Sequence, residues 1–410
     1  MAGNLIRPLD ALNEVLKCAR IMSYELVDIF SAPGRTIFEN PVSKRFLPPL
    51  DNSAMDGYAV KFEDIKNLPA KLKVIGNIQA GDSIKGLTLN SGEAFKIMTG
   101  AFVPGGADTV VEYEVTEQIG EEVTILKEKK KGANIRVKGE DIAVGSVIDV
   151  KGKVVTPEIY ARLISVGVNF VKVYTKPKAL VIGTGNELAY PGDNSDSFKT
   201  IDANSFYISN LLKSNGAEVT YLGIAKDSVD DLVDKIKFAK NYDFIVTSAG
   251  ISEGDFDVVT NSGKTLAINW IFKGVSQKPG KPFSFGLLGE KPIFALPGNP
   301  VSSAFCTFFY ILPFLKKMTG LDKYINDSVT ATITVPMFKK NKRVHFNRGI
   351  LKYDNVQREF MVTPYVSQDS HIISSIASSN CYIEIDEDTT GEIEVGSQVK
   401  CYIYDKNSIF

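Results

Sequence analysis

The chain has 410 residues, 44% of them hydrophobic, which is too long for one ordinary core and favours two to four domains. Lys and Arg total 47 against 48 Asp and Glu, with a pI near 6.3, so no global field draws nucleic acid or anionic lipid and any anion site must be local. Four widely spaced cysteines, Cys18, Cys306, Cys381 and Cys401, form no metal-ligand or redox spacing, and no segment reads as a signal peptide or membrane span, so a cytoplasmic protein with no membrane or nucleic-acid partner is expected.

After Pro8, the residues Leu9, Leu12, Val15, Leu16 and Ala19 recur at helical spacing between polar positions, which predicts an amphipathic helix. From about Phe38 to Val150 the pattern changes to short β-rich runs such as LKVIGNI and DTVVEYEV, broken by Gly, Pro and Asn. Within it DNSAMDGYAV is a polar turn feeding a strand. A second helix is expected after Thr156, a capping residue, and Pro157, which suits the first helical position.

Beyond Lys178 strands and helices alternate: strand ALVIG, a helix from Asn204 to Gly216, strand VTYLGI, a helix from Ser228 to Lys240, strand FIVTS, then strands INWIF and PIFAL. A long helix from Pro300 follows, kinked by Pro313. Alternation of this kind implies a parallel sheet with helices on both faces. The unit ends near Ile325, and the remaining short strands read as a small antiparallel barrel or sandwich.

Ligands of open parallel sheets collect beyond the carboxyl ends of the strands, where this chain carries three glycine turns: GTGNEL, SAGISEGDFD and LPGNPVSS. Gly183, Gly185, Gly250, Gly254 and Gly298 let backbone approach a ligand, although such glycines also serve ordinary turns. In LPGNPVSS, Asn299 suits the N-cap, Pro300 the first helical turn, and Ser302 adds a hydroxyl, a helix start of the kind that holds oxyanions. Just upstream, KPGKP sets Lys278 and Lys281 on a stiff turn. Glu187, Asp227, Asp255 and Asp257 lie at or soon after strand ends, where a hard cation bridging phosphates could use them.

The strings DNSAMDGYAV, IMTGAFVPGGADTVV, GEDI, GTGNEL, TSAGISEGDFD, KPGKP and LPGNPVSS, in this order and spread over nearly the whole chain, together resemble the bacterial molybdopterin molybdenumtransferase family, to which the E domain of gephyrin is related. The resemblance implies an α/β plus β fold in four parts: an elongated discontinuous domain from residues 1–26 and 147–177, a β-rich insertion over 27–146, a three-layer αβα domain with a mostly parallel sheet over 178–326, and a C-terminal β-barrel over 327–410. It implies a homodimer that inserts molybdate into adenylated molybdopterin with magnesium-dependent release of AMP. It further implies transient contact with a molybdopterin adenylyltransferase and with molybdoenzyme maturation partners.

Carried over residue by residue, the resemblance makes Asp56, Thr99, Glu187, Lys278 and Lys281 the catalytic set, with Asp56 and Thr99 reaching across the dimer interface. Glu187, Asp227 and Asp257 become the magnesium carboxylates. Gly183, Thr184, Gly185, Ser248, Gly250, Gly254, Pro297, Gly298, Asn299, Pro300, Ser302, Arg348 and Ser370 line the substrate, with Ser302, Arg348 and Ser370 joining the lysines around molybdate and the pterin phosphate. The chain departs from the family pattern at Asn186, commonly Asp, at Ala249, commonly Gly, and at Glu253, commonly apolar. A molybdopterin adenylyltransferase, which usually lacks the long insertion and the C-terminal strands, and a partner-clustering scaffold are the rival readings.

Overall fold

The structure is a computed structural model that describes residues 5–193, 197–249, 265–406 and 408–409. The chain divides into two compact units, one from residues 1–25 and 174–410, the other from Leu26–Val173.

Helix α1, Pro8–Lys17, opens the first unit and buries Leu12, Val15 and Leu16 as its periodicity predicts, together with Ala11, while Leu9 stays 51% exposed. In the second unit the strands β1 (Gly57–Val60), β2 (Ala70–Ile78), β3 (Glu93–Ile97), β4 (Thr109–Glu112), β5 (Thr116–Ile119) and β6 (Glu122–Ile125) form one sheet in the order β4-β1-β3-β2-β6-β5. Only the β2–β3 pair is parallel, and the sheet buries one cluster around Tyr58, Leu72 and Val123 and another around Ile78 and Phe95. Helix α2, Pro157–Ser165, starts as expected, with the Thr156 hydroxyl accepting from the Ile159 amide at 3.4 Å and Pro in the first turn.

The first unit continues with β7 (Lys178–Thr184), α3 (Ala203–Ser214), β8 (Glu218–Ala225), α4 (Val229–Ile236), β9 (Phe244–Ser248), β10 (Ile268–Lys273), β11 (Gln277–Lys278), β12 (Ser284–Leu288) and β13 (Lys291–Leu296). The main sheet runs β8-β7-β9-β13-β12-β10, parallel through its first four strands. The last two strands add by antiparallel pairing, β12 to β13 in a hairpin and β10 to β12. Alternate side chains serve two layers: Ala179, Val181, Phe244 and Phe294 pack with α1 and α3, whereas Leu180, Ile182, Ile245 and Ile293 pack with α4. The helix from Pro300 is α-helical to Cys306 (α5), widens to a π turn over Thr307–Ile311, and resumes over Leu312–Met318 (α6), so the irregularity falls just before Pro313.

The C-terminal strands β14 (Ser328–Ile333), β15 (Val344–Asp354), β16 (Glu359–Pro364), β17 (Cys381–Ile385) and β18 (Gln398–Ile403) follow. They pair in the order β15-β16-β14-β18-β17, and β17 pairs back onto β15, which closes a five-stranded barrel. Strand β11 lies outside the main sheet and pairs in parallel with β15, Lys278 opposite His345. No helix among the described residues is long and apolar enough to cross a membrane.

Candidate functional site

Strands β7, β9 and β13 end side by side, and hydrogen bonds tie their turns together. The buried Thr184 hydroxyl donates to the Ser248 carbonyl at 3.0 Å, and the Ala249 amide donates to the Leu296 carbonyl at 3.0 Å. From the start of α3, Asn204 Nδ2 donates to the Gly298 carbonyl at 2.7 Å. The glycines here answer to contact. A Cβ on Gly183 would lie 2.3 Å from Oδ2 of the buried Asp202, and one on Gly298 would lie 3.3 Å from the Ala249 Cβ. Ala249 itself adopts φ +72°, the left-handed region a glycine would fill at lower cost, which explains the residue usual at this place.

Two carboxylates attach to the first of these turns. Glu187 folds its carboxylate over Gly185, where a Cβ would lie 2.4 Å from Oε2. Asp227, two residues beyond the neighbouring β8, accepts the Asn186 amide at 3.1 Å, and its own amide donates to Asn186 Oδ1 at 3.2 Å. Asn186, uncharged where an aspartate is common, thus makes a reciprocal pair and adds no second charge beside Asp227. Both carboxylates offer the hard oxygen donors magnesium takes, and that ion commonly uses one or two protein carboxylates together with phosphates and waters. No cluster of three His, Cys, Asp or Glu occurs among the described residues. Gly250, Gly254 and Asp257, as well as Glu253, lie outside the described residues.

The lysine turn packs against α5. Gly280, at φ +89°, has no room for a Cβ, which would meet Cys306 Sγ at 2.6 Å and Gln277 Nε2 at 2.8 Å. Buried Gln277 braces the turn, donating to the Gly280 carbonyl at 3.2 Å and accepting from the Tyr310 hydroxyl. Arg343, just before β15, donates from Nη1 to the Gln277 carbonyl at 3.3 Å, so a guanidinium stands beside Lys278. Sequence reasoning passed over this residue; the signal was its place in RVHFNR, an odd number of positions from Arg348. His345, opposite Lys278, is held to a pKa of about 4, first by burial and then by Lys278, Lys339 and Arg343, so it is neutral at ordinary pH.

Two expectations need correction. Asn299 occupies the N-cap of α5 but makes no capping bond; its Nδ2 donates instead to the Ser370 hydroxyl at 2.9 Å, and the Ser370 carbonyl accepts the Val301 amide at 3.1 Å. Arg348, expected to face the oxyanion, is 1% exposed and spends its guanidinium on the segment from Ser367 to Ser375. Nη2 donates to the carbonyls of Ser367 (2.8 Å) and Asp369 (3.1 Å), Nη1 to that of Gln368 (3.4 Å), and Nε to the Ser375 hydroxyl (2.9 Å). Arg348 shares the face of β15 with Phe346, whose ring packs on Phe305 of α5, but its donors are spent on the chain between Ser367 and Ser375 and are not left for an anion. Pro297 and Ser302 are buried, and Ser370 is half-buried.

In the second unit Asp56 and Thr99 meet at an exposed corner. Asp56 Oδ1 accepts both the Thr99 amide at 2.6 Å and the Thr99 hydroxyl at 2.7 Å. The amide first and then the hydroxyl lower the aspartate pKa, so the carboxylate is kept ionised. The cavity of 630 Å³ lined by Glu384, Asp386, Glu392 and Lys400 lies on the barrel and contains none of these residues.

Comparison with known proteins covers the same segments. Residues 6–167 match the model of the MoeA N-terminal region (domain I and II), residues 180–317 the probable molybdopterin binding domain, and residues 330–404 the MoeA C-terminal region (domain IV). Molybdopterin molybdenumtransferase 2 of Mycobacterium tuberculosis is 32% identical over 92% of this chain and 94% of its own length. The molybdopterin molybdenumtransferase of Haemophilus influenzae is 33% identical over 92% of each chain. The solved molybdopterin biosynthesis MoeA protein of Pyrococcus horikoshii superposes with a TM-score of 0.83 at 29% identity, covering 98% of this chain and all of the other.

Proposed function

The chain belongs to the molybdopterin molybdenumtransferase family, a family of transferases, and from that membership we propose that it inserts molybdate into adenylated molybdopterin with magnesium-dependent release of AMP, giving molybdenum cofactor. The observation that carries this reading is the linkage of the three strand-end turns to the lysine turn and to Ser370, which puts cationic, hydroxyl and carboxylate groups on one framework.

Molybdate is a tetrahedral dianion, suited to charge-assisted hydrogen bonds from Lys278, Lys281 and Arg343 and to the hydroxyls of Ser302 and Ser370. Neutral His345 beside Lys278 leaves that cation without a competing carboxylate on its opposite strand position. Glu187 and Asp227 would hold magnesium, with Asp257 as a third candidate. The ion's chemistry there is to neutralise charge on the phosphoanhydride and the departing nucleotide. Gly183, Thr184, Gly185 and Ser248 shape the floor on which the nucleotide end lies. Asp56, kept ionised by Thr99, positions the dithiolene or accepts a proton, and in this reading it acts in a homodimer, across the subunit interface. The chain itself needs no nucleophile, because the sulfurs of the substrate capture the metal. A cytoplasmic setting, with an adenylyltransferase supplying the substrate and maturation partners receiving the product, completes the proposal.

The test is an anaerobic assay of the full-length protein with adenylated molybdopterin, molybdate and magnesium, reading AMP by chromatography and cofactor by reconstitution of a metal-free molybdoenzyme. AMP release that requires both molybdate and magnesium is expected. Absence of release with all components present would sink the proposal, and adenylated product from ATP and metal-free molybdopterin would assign the rival adenylyltransferase activity instead.

A further inference from the structure

We propose that Arg348 is a positioning residue, whose buried guanidinium gathers the carbonyls of three consecutive residues so that Ser370 is presented at the start of α5 and the oxyanion finds its hydroxyl in place. The inference rests on the proposed function for its consequence and on geometry alone for its contacts. Ser367, Gln368 and Asp369 all turn their carbonyls to one planar fork, and the Ser375 hydroxyl takes the remaining Nε proton. Ser375 can accept there because its own proton goes to the Ile372 carbonyl at 2.5 Å. Both ends of the segment that contains Ser370 are therefore held by one side chain.

The main chain of Arg348 fastens the same segment. Its amide donates to Gln368 Oε1 at 2.8 Å, its carbonyl accepts Gln368 Nε2 at 3.0 Å, and the Tyr365 amide donates to that carbonyl at 2.9 Å. What protrudes is Ser370, fixed on its far side by Asn299 Nδ2 and by the Val301 amide. A buried cation whose hydrogen bonds go to carbonyls and a hydroxyl is costly to keep, since carbonyl dipoles compensate a charge less fully than a carboxylate. Such a cost is consistent with a requirement for the fork itself. Lysine offers three donors from a single point and cannot span a row of carbonyls in one plane.

The experiment compares wild type with Arg348→Lys, Arg348→Met and Ser370→Ala in the full chain. Hydrogen exchange of the peptide containing Val301 reads the position of the Ser370 carbonyl, and AMP release against molybdate concentration reads the consequence. Both Arg348 variants should expose the Val301 amide and raise the molybdate concentration for half-maximal release about tenfold, more than they lower kcat. Arg348→Met combined with Ser370→Ala should be no worse than Ser370→Ala alone. Wild-type molybdate dependence in Arg348→Lys would overturn the proposal, because charge without the fork would then suffice. Unchanged exchange at Val301 would overturn it equally. Should Arg348→Met not fold, Arg348→Lys carries the test. If wild type released no AMP at all, the proposed function would fail while the exchange measurement still decided the latch.

Discussion

The Asp56–Thr99 corner and the strand-end turns around Gly183 hold polar groups in two different ways. At the corner an exposed carboxylate is aimed by one amide and one hydroxyl of a single exposed residue. At the strand ends the groups proposed to face a ligand are also the groups that let β7, α3, β9 and β13 approach, and buried Asp202 stands where a Cβ of Gly183 would have to go. Chemistry and architecture separate in the first place and coincide in the second. A substitution at the corner should therefore cost activity alone, and one at the strand ends should cost the fold as well.

The largest effect that sharpens this contrast is Gly183→Ala. The new methyl cannot be accommodated by a buried carboxylate that also accepts the Ser205 amide and the Tyr221 hydroxyl, so stability should fall by about 3 kcal/mol in denaturant titration. An unchanged midpoint would dissolve the distinction from its structural side. Next, Asp56→Ala should keep the wild-type midpoint while lowering molybdate-dependent AMP release at least about a hundredfold. Normal turnover would remove Asp56 from the chemistry.

A smaller and pH-dependent effect belongs to His345. Its folded pKa of about 4 lies below the ordinary value of 6.5, so as pH falls the unfolded chain takes up the proton first. The stabilisation is complete above about 6.5 and declines toward pH 4, by up to about 3 kcal/mol, and His345→Asn should flatten that part of the stability profile. A profile equally steep in the variant would mean that other groups control it. Smallest, Ala249→Gly should raise stability by about 1 kcal/mol by relieving a left-handed alanine, measured by the same titration. A loss instead would show that the packing of the Ala249 methyl on Gly298 outweighs backbone strain.

Buried apolar runs made β7, β9 and β13 readable, and the capping residue and amphipathic pattern of α4 made that helix readable between them. Such patterns did not reveal β12. SFGLL follows so closely on KPGKP that it reads as the tail of a turn, and nothing in an apolar run states whether its strand is parallel or antiparallel. The glycines of the strand ends were legible as glycines, but what requires them, Asp202 against Gly183 and Cys306 against Gly280, comes from residues distant in sequence. The two arginines of RVHFNR show the same limit. Arg343 stands just before β15 and Arg348 within it, and which of the two keeps free donors depends on the chain from Ser367 to Ser375 that folds over Arg348, far off in sequence. Arg348 thus entered as a ligand and emerged as an internal brace, while Arg343 beside the lysine turn was passed over.

The pairing of β11 with β15 bears on how such a protein can be taken apart. Gln277 and Lys278 belong by sequence to the α/β segment but complete their backbone pairing with the barrel. Excision of the last eighty or so residues would therefore free an edge at the lysine turn, and a transplant of the α/β segment into another host would have to bring a substitute strand. The barrel is in this sense not interchangeable with an unrelated module, because any replacement would have to offer Gln277 and Lys278 a strand in the same register.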